Sequence, residues 1–169
     1  MNKRIALARE NDLPRILTLY AGARLFMAQN GNPTQWGPSG YPKRELLETD
    51  IALKRLYKVS EGDDIVGAFV LIFGDDPTYA VIENGAWLND KPYGTLHRLC
   101  ADTNSSGVAK AALDYCRMRC AESGADLRAD THADNKIMQH ILSSYGFAAC
   151  GRIYVADGSA RIAYQLKIE

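Results

Sequence analysis

The sequence predicts an α/β (α+β) domain in which a mixed sheet is flanked by helices. Three observations carry this. Apolar residues recur at helical spacing in four separate stretches. Between them lie short β-rich runs, one of them apolar on both faces. Gly, Asp and Asn turn signals separate the runs, giving the order β-α-α-β-β-β-β-α-β-α-β-β. The 169 residues suit one domain spanning 1–169, and 47% hydrophobic residues are enough to build its core.

Arg4 to Ala8 reads as a short strand. Asn11-Asp12 and Pro14 then start a helix carrying Leu13, Ile16, Leu17 and Tyr20 on one stripe. Residues 28–42 are rich in Gly, Pro and Asn and form a long loop holding Trp36 and Tyr41. A second helix follows around Leu46, Leu47, Ile51 and Leu53. Tyr57 to Val59 and Ile65 to Phe73 are strands of a hairpin closed by Glu61-Gly62-Asp63-Asp64, the second of them central in the sheet. Tyr79 to Ile82 and Thr95 to Ala101 are further strands. Helical spacing returns over 108–120, Leu127 to Thr131 is a strand, and Ile137, Met138, Ile141, Leu142 and Tyr145 mark another helix. Two strands around Asp157-Gly158 end the sequence, and Ile162, Tyr164, Leu166 and Ile168 of the last are expected on one face.

Composition excludes several classes of function. Twenty basic and twenty acidic residues cancel and alternate along the chain, which argues against a nucleic-acid backbone or an anionic membrane as partner. The N-terminal residues return to charge within nine positions, and Ile65 to Phe73 is too short to span a bilayer, so a cytoplasmic protein is expected. The four cysteines form no CxxC or CxxH pair, and Cys116 and Cys120 lie one helical turn apart. Reduced thiols and no metal are expected.

The chemistry is concentrated in Leu99-Cys100-Ala101-Asp102-Thr103-Asn104-Ser105-Ser106-Gly107-Val108-Ala109-Lys110. A strand ends, small polar residues follow, and a helix begins near Gly107. Helix N-termini leave backbone N–H groups unpaired, and small residues let a phosphate approach them. A helix simply capped by Ser105 or Ser106 is the alternative. There is no Gly-Lys-Ser/Thr of a P-loop and only one of the three glycines of a dinucleotide fingerprint.

Asn104-x-x-Gly107-x-Ala109 after a strand resembles the acetyl-CoA loop of the GNAT superfamily. Asp130-Thr131-His132-x-x-Asn135-x-x-Met138-x-x-x-Leu142-x-x-x-Gly146-Phe147 is similar to that superfamily's next motif, at the correct separation. Gly67 and the Arg9–Ile16 junction match as well, so the resemblance covers nearly the whole chain. It implies a mostly antiparallel sheet of about seven strands with four helices, splayed between the strands ending near Ala101 and Thr131. It also implies acetyl-CoA as co-substrate and direct transfer to a primary amine.

The resemblance further implies roles for single residues. Backbone groups from His97 to Leu99 would bind the pantetheine arm, N–H groups from Ser105 through Val108 to Ala109 the pyrophosphate, and Asn135 the arm beyond the splay. Two departures stand out. The loop is neutral, with Lys110 the nearest cation in sequence, and Leu142 occupies the place of the usual general-acid Tyr. Tyr145 is a replacement acid or a core residue, and His132 a core, loop or site residue. Asp102 is read as a cap.

Trp36, Tyr41 and Glu83 are candidate acceptor contacts; the two aromatics are equally readable as plugs of the loop, and Glu83 as a surface charge. His97 is the candidate base. It shares strand parity with Tyr93, Thr95 and Leu99 if no bulge intervenes, and imidazole suits proton transfer near neutrality. The alternative is a buried histidine bonded within the sheet. A small-molecule amine is the expected acceptor of a monomer or homodimer. A protein N-acetyltransferase or a non-catalytic acyl-CoA-binding or sensory module are the rival functions.

Overall fold

In the computed structural model, which describes residues 2–169, the strands are β1 (Lys3–Leu7), β2 (Leu56–Glu61), β3 (Asp64–Phe73), β4 (Tyr93–Ala101), β5 (Asp126–Thr131), β6 (Ala148–Tyr154) and β7 (Ala160–Leu166). The helices are α1 (Leu13–Gln29), α2 (Arg44–Ala52), α3 (Val108–Glu122) and α4 (Lys136–Tyr145). One sheet runs in the order β1-β2-β3-β4-β5-β7-β6. β1–β2, β2–β3, β5–β7 and β6–β7 pair antiparallel, and β4–β5 pair parallel. The parallel ladder joins Tyr93–Thr95 to Asp126–Arg128 and ends there, although both strands run on.

The chain divides into two compact units. One holds the residues up to Leu71 with His97–Tyr115, and the other holds Ile72–Leu96 and Cys116–Glu169. In the first, Leu13, Ile16 and Tyr20 of α1 are buried at the predicted helical spacing. Ala68, Phe69 and Val70 of β3 are buried on both faces, as a central strand requires. Tyr57 stacks on Phe69 with ring centres 5.3 Å apart, and Tyr115 packs on Tyr57 at 5.0 Å. The β2–β3 hairpin closes with Glu61 opposite Asp64, and Gly62 takes a left-handed φ of 61° at its turn.

In the second unit, Tyr79, Tyr93, Ile153 and Ala163 form a core cluster flanked by Ile82, Trp87 and Val155. Here the expected Tyr79–Ile82 strand does not form. Pro77–Tyr79 is a 3-10 turn instead, because Asp76 accepts hydrogen bonds from both the backbone N–H and the hydroxyl of Thr78, and Pro77 suits the turn's start. Tyr79 is buried by packing rather than by strand pairing, and an isolated backbone bridge forms just past the run, between Glu83 and Arg152. The strands thus number seven among the described residues.

β7 also departs from expectation. Side chains of both parities are buried along β7, Ala163 and Gln165 as well as Tyr164. Gln165 Nε2 donates to Asn89 Oδ1 and Asp126 Oδ2, both at 3.0 Å, which offsets the cost of burying an amide. All four cysteines are free and buried. Among the described residues no helix is long and apolar enough to cross a membrane, and no group of three His, Cys, Asp or Glu residues is placed to hold a metal.

Candidate functional site

β4 leads through Asp102–Gly107 into α3, and one carboxylate shapes this connection. Asp102 Oδ1 accepts from Asn104 N at 2.9 Å, and its carbonyl accepts from Ser105 N at 3.0 Å. Asp102 therefore caps the turn inside the loop rather than the helix. Asn104 N–H and then Arg15 hold its carboxyl below the usual range. Gly107 has a left-handed φ of 76°, and a Cβ there would meet nothing within 4 Å. Ala111 N bonds to Gly107 O at 3.1 Å, so helix geometry leaves the N–H groups just ahead of Ala111 without partners inside the helix.

The structure changes two details of the predicted anion cradle. Ser105 spends its N–H on Asp102, and its hydroxyl donates to Glu61 Oε2 at 2.8 Å, so the available N–H groups begin at Ser106. Lys110, the nearest cation in sequence, is paired with Asp114 at 2.6 Å on the exposed face of α3. The cation beside the loop is Arg15 of α1, 2.9 Å from Asp102 Oδ2, with its Nε bonded to Ile65 O. A cavity of about 300 Å³ opens there between α1 and residues 101–103, with Arg15, Gly22 and Phe26 among its lining. Gly67 explains how closely the elements pack: a Cβ on it would overlap Val108 and lie 2.9 Å from Cys100 O.

His97 and Leu99 are both half-buried, but simple alternation does not continue between them. Arg98 has a φ of 52°, a left-handed conformation that costs a non-glycine residue about 1–2 kcal/mol. This is the interruption that the parity reading of His97 required to be absent. Arg98 is held on all sides. Tyr20 Oη donates to its carbonyl at 2.6 Å, its Nε and Nη2 each donate to Asp50 at 3.1 Å, and its Nη1 donates to Tyr41 Oη at 2.8 Å. Asp50 is fully buried and also takes Arg55 Nε at 2.7 Å. Burial opposes the Arg98 charge, but Tyr41 and Asp50 more than offset this, so it is held more firmly protonated than an ordinary arginine.

Trp36 is buried edge-on to Tyr20, with ring centres 5.8 Å apart, and it contacts Tyr41 at 6.2 Å. These aromatics hold the 30–43 loop down, which was one of the two readings of them. In the second unit, Glu83 is exposed and its Oε2 accepts from Tyr154 Oη at 3.0 Å. Asn135 caps α4, its Oδ1 accepting from Met138 N at 3.0 Å. His132 Nδ1 accepts from Asp134 N at 3.0 Å. Leu142 is buried, and Tyr145 is half-buried with its ring 6.2 Å from that of Phe147.

Solved structures share this architecture. A GNAT-family acetyltransferase from Streptococcus agalactiae 2603 superposes with a TM-score of 0.83 and 32% identity, over 99% of this chain and 95% of that one. The chain belongs to the GNAT family of acetyltransferases. Its GNAT fold is shared by a Staphylococcus aureus Mu50 protein assigned as an acetyltransferase, at TM-score 0.73 and 26% identity over 98% of this chain and 99% of that one. It is also shared by the NatC complex bound to Gag peptide and CoA, at TM-score 0.63 and 11% identity over the full length of both chains, a likeness of fold alone. Neither a family model nor a curated protein matches the sequence. As a GNAT protein the chain is an acyltransferase.

Sequence reasoning located β4, the loop and α3 but missed Arg15, Asp50 and Arg98. The first two are ordinary surface-type charges on helices, and nothing local in the sequence marks Arg98.

Proposed function

We propose that this GNAT protein is a cytoplasmic enzyme, a monomer or homodimer, whose whole chain serves as one domain transferring an acetyl group from acetyl-CoA to a small primary amine. One observation carries the cofactor half: a left-handed glycine, Gly107, leaves open space immediately before the unpaired N–H groups of the α3 N-terminus. The residues present fit a pyrophosphate there. Ser106 to Lys110 offer backbone donors, Asn104 a side-chain amide, and Arg15 a cation close to the loop.

Acetyl-CoA supplies an activated thioester; the chain's own groups bind and orient. Backbone groups of Leu99 extend the β4 edge beyond the end of its ladder with β5, and a strand N–H there suits charge developing on a carbonyl oxygen. An alkylammonium with pKa about 10.4 is only about 0.04% neutral at pH 7, so a base is useful, and His97 is the imidazole on this strand. Trp36, Tyr41 and Glu83 are assigned to the acceptor side, the two aromatics by fixing the loop and Glu83 as a carboxylate for an ammonium. Asn135 supports the cofactor arm from the start of α4.

A buried leucine at the general-acid position favours a second reading, a non-catalytic acyl-CoA-binding module. One experiment separates the two. Acetyl-CoA is added in a thermal-shift assay, and thiol release is then followed with a panel of small amines and an N-terminal peptide. A raised Tm with release for a small amine is expected. Binding without release would install the sensory module, and an unmoved Tm would remove acetyl-CoA altogether. Release with peptide only would move the acceptor class to proteins.

A further inference from the structure

We propose that Asp50, Arg98 and Tyr41 form a positioning clamp, which fixes the backbone of β4 between His97 and Leu99 and ties it to the 30–43 loop. The proposal rests on the acetyl-transfer reading above, since it concerns the strand assigned there to base and backbone donor. Arg98 sits mid-strand in a conformation that neither its side chain nor its neighbours favour, so the surroundings must impose it. They do so with four hydrogen bonds to three elements. Asp50, near the end of α2, grips the guanidinium with both carboxylate oxygens. Tyr41 of the loop receives the third nitrogen. Tyr20 of α1 holds the Arg98 carbonyl.

The anchor is itself anchored. Arg55 donates its Nε to the Asp50 carboxylate and its backbone N–H to the Asp50 carbonyl at 3.0 Å, while its own carbonyl takes Leu71 N at 3.1 Å. On the loop side, Tyr41 N bonds to Trp36 O at 3.2 Å, and Arg24 Nη1 donates to Tyr41 O at 3.3 Å. A buried ion pair is a poor means of adding stability, since apolar residues of similar volume commonly serve as well. Its distinctive effect is geometric. It defines where β4 departs from regular alternation, and hence how the His97 side chain and the Leu99 N–H are presented, and it couples that geometry to a loop assigned to the acceptor. Asp50 and Arg98 are positioning residues and need touch no substrate.

Tyr41→Phe removes one hydroxyl and keeps the ring packing; Asp50→Asn weakens both guanidinium contacts. Hydrogen exchange is followed by mass spectrometry over peptides spanning 30–43 and 96–101, alongside acetyl-CoA Kd by calorimetry and steady-state kinetics with the best amine. Tyr41→Phe is expected to speed exchange in both segments and lower kcat, each by about tenfold, as loss of a hydrogen bond to a charged group would. Acetyl-CoA Kd should stay within about twofold, because the cradle at the α3 N-terminus is built from other groups. Asp50→Asn should do the same more strongly; if it does not fold, Tyr41→Phe decides alone. Unchanged exchange over 96–101 overturns the clamp, and so does a raised acceptor KM with kcat intact, which would make Tyr41 a direct contact. Faster exchange with unchanged kcat overturns the positioning role. A wild-type protein that neither binds acetyl-CoA nor acylates any amine removes the acetyl-transfer reading and the positioning role with it, while the exchange data still decide the clamp.

Discussion

At the scale of single residues, Gly107 and His97 carry the most chemistry. Gly107 combines a left-handed backbone with open space where a side chain would begin. Gly107→Ala thus meets no steric obstacle and tests the backbone alone, at a cost of about 1–2 kcal/mol for the left-handed conformation. Gly107→Glu adds bulk and a negative charge beside the helix N-terminus, and should weaken CoA binding by about tenfold or more. A folded Gly107→Glu protein that binds CoA normally in calorimetry would remove the loop assignment. His97→Gln should lower kcat/KM by about 10²-fold, the usual scale of general-base loss, while CoA affinity holds. Activity close to wild type would return His97 to a structural role and leave the base to water.

At the scale of elements, the loop is only as well placed as the packing of β3 against β4 and α3. Gly67 sits where a Cβ would collide with Val108, the first residue of α3, and with the Cys100 carbonyl. Valine is stiff at χ1 and a carbonyl cannot move without its strand, so neither neighbour yields cheaply. Gly67→Ala is expected to cost about 1–3 kcal/mol, seen as a lowered Tm and denaturation midpoint. It should also weaken CoA binding, because the displaced residue opens the helix that offers the N–H groups. A Gly67→Ala protein of unchanged Tm would show that these elements separate more easily than the geometry implies.

At the scale of the whole molecule, ionisable groups bound its stability on both sides of neutrality. Asp102 is held below the usual carboxylate range by Asn104 N–H and Arg15. Burial alone would raise Asp126, but Ile168 N–H, Asn89, Gln165 and Lys91 bring it below that range too. Depressed carboxylates contribute stability above about pH 3.9 and lose it as the pH falls through their folded values. Burial pushes the Cys100 thiol up to about 12 and the Cys120 thiol up to about 11. Raised thiols contribute stability fully below about pH 8.5 and lose it progressively as the pH climbs toward those values. Calorimetric scans should therefore show a Tm plateau from about pH 5 to 8, falling on either side. A Tm that holds steady from pH 5 down to pH 3 would contradict the acid limb.

Much of this protein was legible from local sequence, because helix spacing, strand runs and turn chemistry act over a few residues. Pro14 placed the start of α1 and Gly62 the β2–β3 turn, and the family motif put Gly146 just past α4, where it adopts a φ of 114°. The small residues from Asn104 to Ala109 were enough to locate the loop before α3, and the order of motifs was enough to indicate the family. Tertiary structure decided the rest wherever distant groups compete for one burial site. Tyr79 gave up a strand for a capped turn and a place in an aromatic core. Lys110 pairs with Asp114 on the exposed side of α3, and the cation bonded to Asp102 is Arg15, 87 residues away in sequence. Arg98 adopts a conformation its own sequence disfavours because Asp50, 48 residues away, and Tyr41, 57 residues away, satisfy its charge. Local preference is worth about a kilocalorie per residue, whereas leaving a buried charge unpaired costs several, so the long-range pairing wins.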